Sequence, residues 1–234
     1  MKTCKFLFAT LASLAAGAMF TACESASDET TPPSGAIFGI DAKVTNSEGT
    51  AIFRFNETGG KDTLEIDDVR AFFMLPDNRY PYEVERTNPD YDNKGIAAGA
   101  YSGGGFKMRL PETVAIDKLY PLFDEGDFDY RFADFISSGN LNISNRDVKC
   151  AVLTGFGAFK NNRHVTNFSS FAGHYGEYGH NGEIRHIYVD NDVVITASNC
   201  FVSFKKGWNV YYLPNDNKGP TTALPATNDI VWHW

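Results

Sequence analysis

Cysteine is scarce: four residues in 234, at positions 4, 23, 150 and 200. Two of the four fall within the first 23 residues, so a small scaffold stapled by many disulfides is excluded. Positive charge is also short. Lys and Arg number 21 against 29 Asp and Glu, a formal net charge of −8. A chain this acidic repels nucleic acid and anionic membrane surfaces, so no nucleic-acid partner is expected. After residue 22 no apolar run approaches transmembrane length. Hydrophobic spacing of 3.6 is nearly absent, which argues against a helical fold. Signatures of catalysis are missing as well. There is no G-x-S-x-G, no H-E-x-x-H, no phosphate loop and no cysteine beside a histidine. SGGGF and TGG look like tight turns without the strand-to-helix context of a phosphate cradle. An enzyme is therefore not expected.

What is present begins with a targeting segment. MKTCK supplies positive charge through Lys2 and Lys5. FLFATLASLAAGAMF is apolar but short for a bilayer, and TAC ends the run at Cys23. This order resembles a bacterial lipoprotein signal, although Phe20 replaces the usual aliphatic residue three places before the cysteine. The resemblance implies cleavage after residue 22 and lipidation of Cys23. An ordinary secretory signal is the alternative. Cleavage before Cys23 removes Lys2 and Lys5 and no acid, which takes the charge from −8 to −10. Several acyl chains on one residue anchor stably, where one chain holds only marginally. Residues 23–34, CESASDETTPPS, are polar, acidic and proline-bearing. They cannot bury enough surface to fold and read as a flexible tether. An acidic stretch behind a lipidated cysteine also resembles the export signal of Bacteroidetes-type surface lipoproteins. The expected location is the outer membrane, lipid-anchored, facing either cell surface or periplasm.

Residues 35–234 alternate with period two. Phe38, Ile40, Ala42 and Val44 alternate with Gly39, Asp41 and Lys43, and similar runs follow at VRAFFML, GFKMRL, VKCAVLT, IRHIYV, DVVITA, FVSF, WNVYYL and DIVWHW. Branched and aromatic residues broken by Gly, Asn, Asp and Pro predict an all-β, mostly antiparallel β-sandwich. ETVAIDKLYPLF predicts the single short helical turn, ended by Pro121. YVDNDVV reads as a hairpin with Asp190 and Asn191 at its turn. The body is one β domain, or two small ones divided near 124–140.

GGGFKMRLPETVAIDKLYPL, IRHIYVDNDVVITAS, FVSFKKGWNVYYL and DIVWHW together resemble Bacteroidetes-type outer-membrane lipoproteins. The resemblance covers much of residues 104–234 and implies a β-sandwich lipoprotein of a group largely without assigned function. Its motifs are structural and carry over no active-site residue.

The stretch with most chemistry is GHYGEYGHNGEIRH, 173–186. His174, Glu177, His180, Glu183 and His186 recur every third residue. On a strand, positions three apart face opposite sides. Four glycines, each roughly 1 kcal/mol worse than alanine, oppose a helix. Only a turning loop brings such ligands together, and a zinc site built from His174, Glu177 and His180 is one reading. A solvated hairpin loop, with His186 packed beside Ile184 and Tyr188, is the other. Histidines near carboxylates also titrate at mildly acid pH. Asp124, Glu125, Asp127 and Asp129 offer hard oxygen ligands for calcium, but the D-x-D-x-D-G loop is absent and a solvated acidic loop is the simpler reading.

Trp208, Val210 and Tyr212 share one strand face, and Ile230, Trp232 and Trp234 another. Trp208, Trp232 and Trp234 are thus candidate platforms for stacking on sugar rings, although an aromatic stripe in a β protein is usually core. Cys150 alternates with Val148 and Val152, and Cys200 with Val202 and Phe204, so both point to an apolar face. They either bridge, given Cα atoms within about 7 Å, or stay as buried thiols. The function expected is a non-catalytic binding or structural module for glycans or protein partners. A metal- or pH-responsive lipoprotein using the 173–186 stretch is the first alternative. A glycan-active hydrolase is the second.

Overall fold

The computed structural model describes residues 38–44, 52–55, 57–73, 94–123, 141–172, 182–215, 219–225 and 230–233. The strands follow the period-two runs. They are β1 (Gly39–Lys43), β2 (Phe53–Phe55), β3 (Lys61–Thr63), β4 (Asp68–Phe73), β5 (Ala97–Ser102), β6 (Gly105–Arg109), β7 (Tyr120–Pro121) and β8 (Asn142–Ile143). Then come β9 (Lys149–Lys160), β10 (Arg163–Ala172), β11 (Gly182–Val189), β12 (Val193–Ala197), β13 (Cys200–Phe204), β14 (Gly207–Pro214) and β15 (Ile230–His233). One 3-10 turn, Ile116–Lys118, stands where the helical turn is expected, and Pro121 lies three residues beyond it in β7. Among the described residues the fold is therefore all-β, and its strands pair antiparallel.

Seven strands close a ring in the order β1, β6, β5, β4, β9, β10, β15. A parallel bridge from Val44 to Trp232 brings β15 back to β1. The parallel contact follows from the count. Antiparallel neighbours alternate in direction, so a ring with an odd number of strands must contain one like-directed pair. On β1 and β6, Ile40, Ala42, Phe106 and Met108 point inward, while Asp41, Lys43, Lys107 and Arg109 point to water. That is the reverse of a barrel whose outer wall meets lipid.

Two bulges keep the inward residues in phase. β9 carries one residue more than β4 between Leu153 and Gly155, so Leu153 and Phe156 both face inward. β10 carries one extra residue at position 165, between His164 and Thr166. Such insertions bend a strand and sharpen its twist, which helps a sheet close. The ring's interior is filled by rings. Phe106 lies 5.1 Å from Trp232, Phe156 4.9 Å from Trp232 and Phe106 6.0 Å from Phe168.

β9 also serves a second layer. Its first half pairs with β11, and β11 with β14. On this wall Leu153, Tyr188 and Trp208 face the ring, while Cys150, Val152, Ile187 and Tyr211 face away. Over the second face lies a three-stranded sheet, β8-β12-β13, whose Val193, Ile195, Cys200, Val202 and Phe204 complete a second core. β4 and β7, before residues 124–140, both pair with β9, which comes after them.

One local expectation fails. β11 and β12 do not form a hairpin across Asp190 and Asn191. β11 pairs with β14 and β9, and β12 with β13 and β8. Val189 and Val193 both belong to the second core, so the chain crosses from one layer to the other there. Asp190 pins the crossing by accepting the Lys149 amide at 2.9 Å, and Asp192 by accepting that of Lys206 at 2.8 Å.

Candidate functional site

Of GHYGEYGHNGEIRH, residues 182–186 are described. His174, Glu177 and His180 lie outside the described residues, as do Cys23, Trp234 and the acidic group Asp124, Glu125, Asp127 and Asp129. Ala172 and Gly182 are opposite one another in the β10–β11 pair, so residues 173–181 connect adjacent strand ends. Gly182 is needed where it stands, since a Cβ there would fall 2.3 Å from the Leu213 carbonyl oxygen.

Glu183 and His186 face opposite ways, as a strand requires of positions three apart. Glu183 lies on the second-layer face, where its carboxylate accepts Arg185 Nε at 2.8 Å. Burial alone would lower the Arg185 pKa. The neighbouring Tyr211 and Glu183 outweigh it and raise it instead, while burial pushes the Tyr211 phenol up. His186 points into the ring, buried among Phe38, Phe156 and Trp232 at centroid distances of 5.8, 5.7 and 6.4 Å. Burial alone pulls its pKa from 6.5 down to about 4, because charging an imidazole in an apolar cage forfeits its hydration. It is neutral at physiological pH and packs as an aromatic side chain. Among the described residues no group of three His, Cys, Asp or Glu is placed to hold a metal ion.

The tryptophans need correction. Trp208 and Trp232 are both 6% exposed and belong to the ring's core. Trp208 stacks on Phe73, 6.2 Å away with planes 9° apart, and donates its Nε1–H to the Pro111 carbonyl at 2.7 Å. Neither ring is available to a ligand, because each is the inward member of its strand's alternation. For the cysteines the structure selects the second of the two readings, buried thiols. Cys150 and Cys200 share the second core as buried thiols with no disulfide between them. Burial raises the Cys200 thiol to about 11, which keeps it protonated and unreactive.

The exposed counterpart lies on the second layer. Among the described residues three large apolar side chains are exposed: Ile116 (75%), Phe201 (57%) and Val194 (38%). Phe201 and Val194 both stand on the outer face of β8-β12-β13. In β12 and β13 the inward residues are Val193, Ile195, Cys200, Val202 and Phe204, which leaves Val194, Thr196, Phe201 and Ser203 outward.

Cross-strand pairing aligns a row on that face. Asn142 is opposite Thr196, and Thr196 is opposite Phe201. Phe201 bridges to Thr221, and Thr221 to Tyr212 of β14. Thr221 donates to and accepts from the Tyr212 backbone, so it joins the small sheet to the large one. Directly opposed residues share a face. The row Asn142, Thr196, Phe201, Thr221 therefore crosses four chain segments, or about 14 Å at the usual strand spacing, while Tyr212, alternating with Tyr211, shares the ring-facing side of β14 with Trp208. It holds one aromatic ring, two hydroxyls and an amide, and no charge. Sequence reasoning missed it because its four members come from separate strands and segments that only the pairing brings side by side. Phe201 carries the one legible signal, as the outward member of CFVSF.

The ring's outer wall differs. Arg70 lies over Phe159 at 4.1 Å with its Nε on Asp68 at 2.6 Å, and His164 Nε2 lies 3.0 Å from Asn167 Oδ1. Asp67 accepts the Asn161 amide and Lys160 Nζ, both at 2.8 Å, and these hold its carboxyl below the usual range. These charged groups satisfy one another and pin the β9–β10 turn, where Asn161 and Asn162 take φ of 50° and 62°.

No protein-family model, curated protein or solved structure matches this chain.

Proposed function

We propose that this protein is a lipid-anchored module of the bacterial outer membrane that binds a partner without transforming it. The N-terminal order of charge, apolar run and Cys23, followed by an acidic tether, supports the anchor and the envelope location. The packing of β8-β12-β13 over the β9-β11-β14 wall supports a sandwich-like architecture in that part of the fold. The observation that carries binding is the outer face of β8-β12-β13, where Phe201 is exposed in an uncharged row with Asn142, Thr196 and Thr221. The ring beside it is packed with aromatic side chains, so recognition falls to the outside of the molecule. The partner is a glycan or a surface protein.

Metabolic labelling with a fatty-acid analogue tests the anchor, combined with protease treatment of whole cells. The wild-type chain is expected to take up label and Cys23→Ala to lose it, together with membrane fractionation. A labelled Cys23→Ala chain, or an unlabelled wild type, would overturn the anchor. Digestion on intact cells assigns the outer leaflet.

A further inference from the structure

We infer that β15 is an acid-released strand: protonation of His186 frees it from the ring while the second layer stays folded. The ring has one loose joint. Among the described residues β15 and β1 touch at a single bridge, Val44 to Trp232, whereas every other joint of the ring is paired at two or more positions. β15 is also short, and its other edge pairs only with β10, from Ser169 to Ala172. What seats it is one indole. Trp232 is buried with its ring 4.9 Å from Phe156 and 5.1 Å from Phe106.

His186 packs against both sides of that joint. Its imidazole meets Phe38, just before β1, at 5.8 Å and Trp232 at 6.4 Å, with Phe156 of β9 at 5.7 Å. Among the described residues no charged side chain faces it from the strands around it. Asp41 and Lys43 of β1 point to water, and Glu183 and Arg185 lie on the opposite face of β11. β9 carries lysines only at its ends, β10 carries Arg163 and His164 at its far end, and β14 has no charged residue. His233 of β15 turns outward to Phe171. The titratable groups on the ring-facing side are the phenols of Tyr188 and Tyr212. The Ser170 hydroxyl is already engaged, donating to the Ile184 carbonyl at 2.9 Å.

A charged imidazole in this cage lacks water, and one wall must yield to supply it. β9 is held by pairing with β4, β7, β10 and β11, and β1 is zipped to β6 from Gly39 to Lys43. β15 is the wall that can leave. Its departure opens His186, Phe106 and Phe156 to solvent and frees an edge of β10. Acid shifts the balance toward that open form. Burial lowers the closed-state pKa from 6.5 to about 4, so the closed ring favours the neutral imidazole and the open one favours the charged form. Above pH 6.5 opening is independent of pH. Below it the opening constant climbs tenfold per pH unit and levels near pH 4, after a rise of about 300-fold.

Hydrogen exchange of the full-length protein in detergent tests this, read by mass spectrometry from pH 7.5 to 3 and corrected for the intrinsic pH dependence of exchange. Residues 230–233 and the facing 169–172 should lose protection by about 300-fold between pH 6.5 and 4, while β12 and β13 keep theirs. His186→Phe fills the cage without a titrating nitrogen and should show no such loss. His186→Leu, a smaller apolar replacement, should behave alike, so the comparison survives if the larger ring is not tolerated. Unchanged protection of 230–233 in the wild type would overturn the release, with Phe38 and Phe156 holding the imidazolium by cation–π attraction instead. A loss shared equally by β12 and β13 would make the event global unfolding rather than strand release. A loss that begins only below about pH 4 belongs to carboxylates, and one undiminished in both variants likewise removes His186 from the role.

Discussion

The imidazole of His186 stands edge-on to the ring of Phe156, centroids 5.7 Å apart and planes 81° apart. This contact makes a titratable group part of an apolar core, and stability then depends on pH. The folded pKa of about 4 lies below the ordinary 6.5, so folding favours the neutral ring. The stabilisation is complete above pH 6.5, declines as pH falls from 6.5 to 4, and reaches a loss of roughly 3 kcal/mol below that. Urea unfolding at pH 7, 5.5 and 4 should show the wild type losing more stability than His186→Phe across that window. Equal slopes for the two proteins would mean His186 does not report the core.

Two glycines carry the close approach of strands in the ring. A Cβ on Gly99 would lie 2.1 Å from the Lys107 carbonyl oxygen, and one on Gly105 2.2 Å from that of Ala42. Both obstacles are backbone, which yields little. Gly99→Ala and Gly105→Ala should each destabilise by about 1–3 kcal/mol. Gly39→Ala, with open space around its Cβ, should stay within about 0.5 kcal/mol of wild type. Denaturant midpoints of the three variants give the comparison, and an undisturbed Gly99→Ala would show the ring looser than described.

Trp208 ties β14 to the segment just after β6 by donating to Pro111, 97 residues earlier in the chain. Trp208→Phe keeps much of the ring area against Phe73 but removes the donor. A cost of roughly 1–3 kcal/mol is expected, since the partner carbonyl loses its hydrogen bond. Chemical unfolding measures it, and a cost below about 0.5 kcal/mol would mean water replaces the indole.

Cys150 and Cys200 should resist thiol reagents in the native protein and react promptly in guanidinium without any reductant. Cys150→Ser and Cys200→Ser should each remove one reactive equivalent. A silent unfolded wild type that gains thiols only with dithiothreitol would show that the pair bridges after all.

Much of the fold was legible because period two is a local property. Ile40, Ala42, Phe106 and Met108 declare their side of the sheet by alternation alone, and so do Cys150 and Cys200. The helical turn at Ile116–Lys118 was equally local, with Pro121 to stop it. The failures came where alternation is silent. VDNDV has hairpin chemistry, yet β11 and β12 part because both flanking valines are drawn into a core between layers. Trp208 and Phe201 are each one member of an alternating strand, and alternation alone does not say which face is wet.

The sequence by itself determined the all-β character, the direction of most side chains relative to their own strands and the excess of negative charge. Each follows from residue type and spacing within a few positions. The tertiary structure alone decided which strands are neighbours. It closed the ring through Val44 and Trp232, buried His186 among Phe38, Phe156 and Trp232, and set Asn142, Thr196, Phe201 and Thr221 in one row. The physical reason is that strand pairing is chosen by the summed burial of two shared cores, and no single stretch of the chain contains that sum.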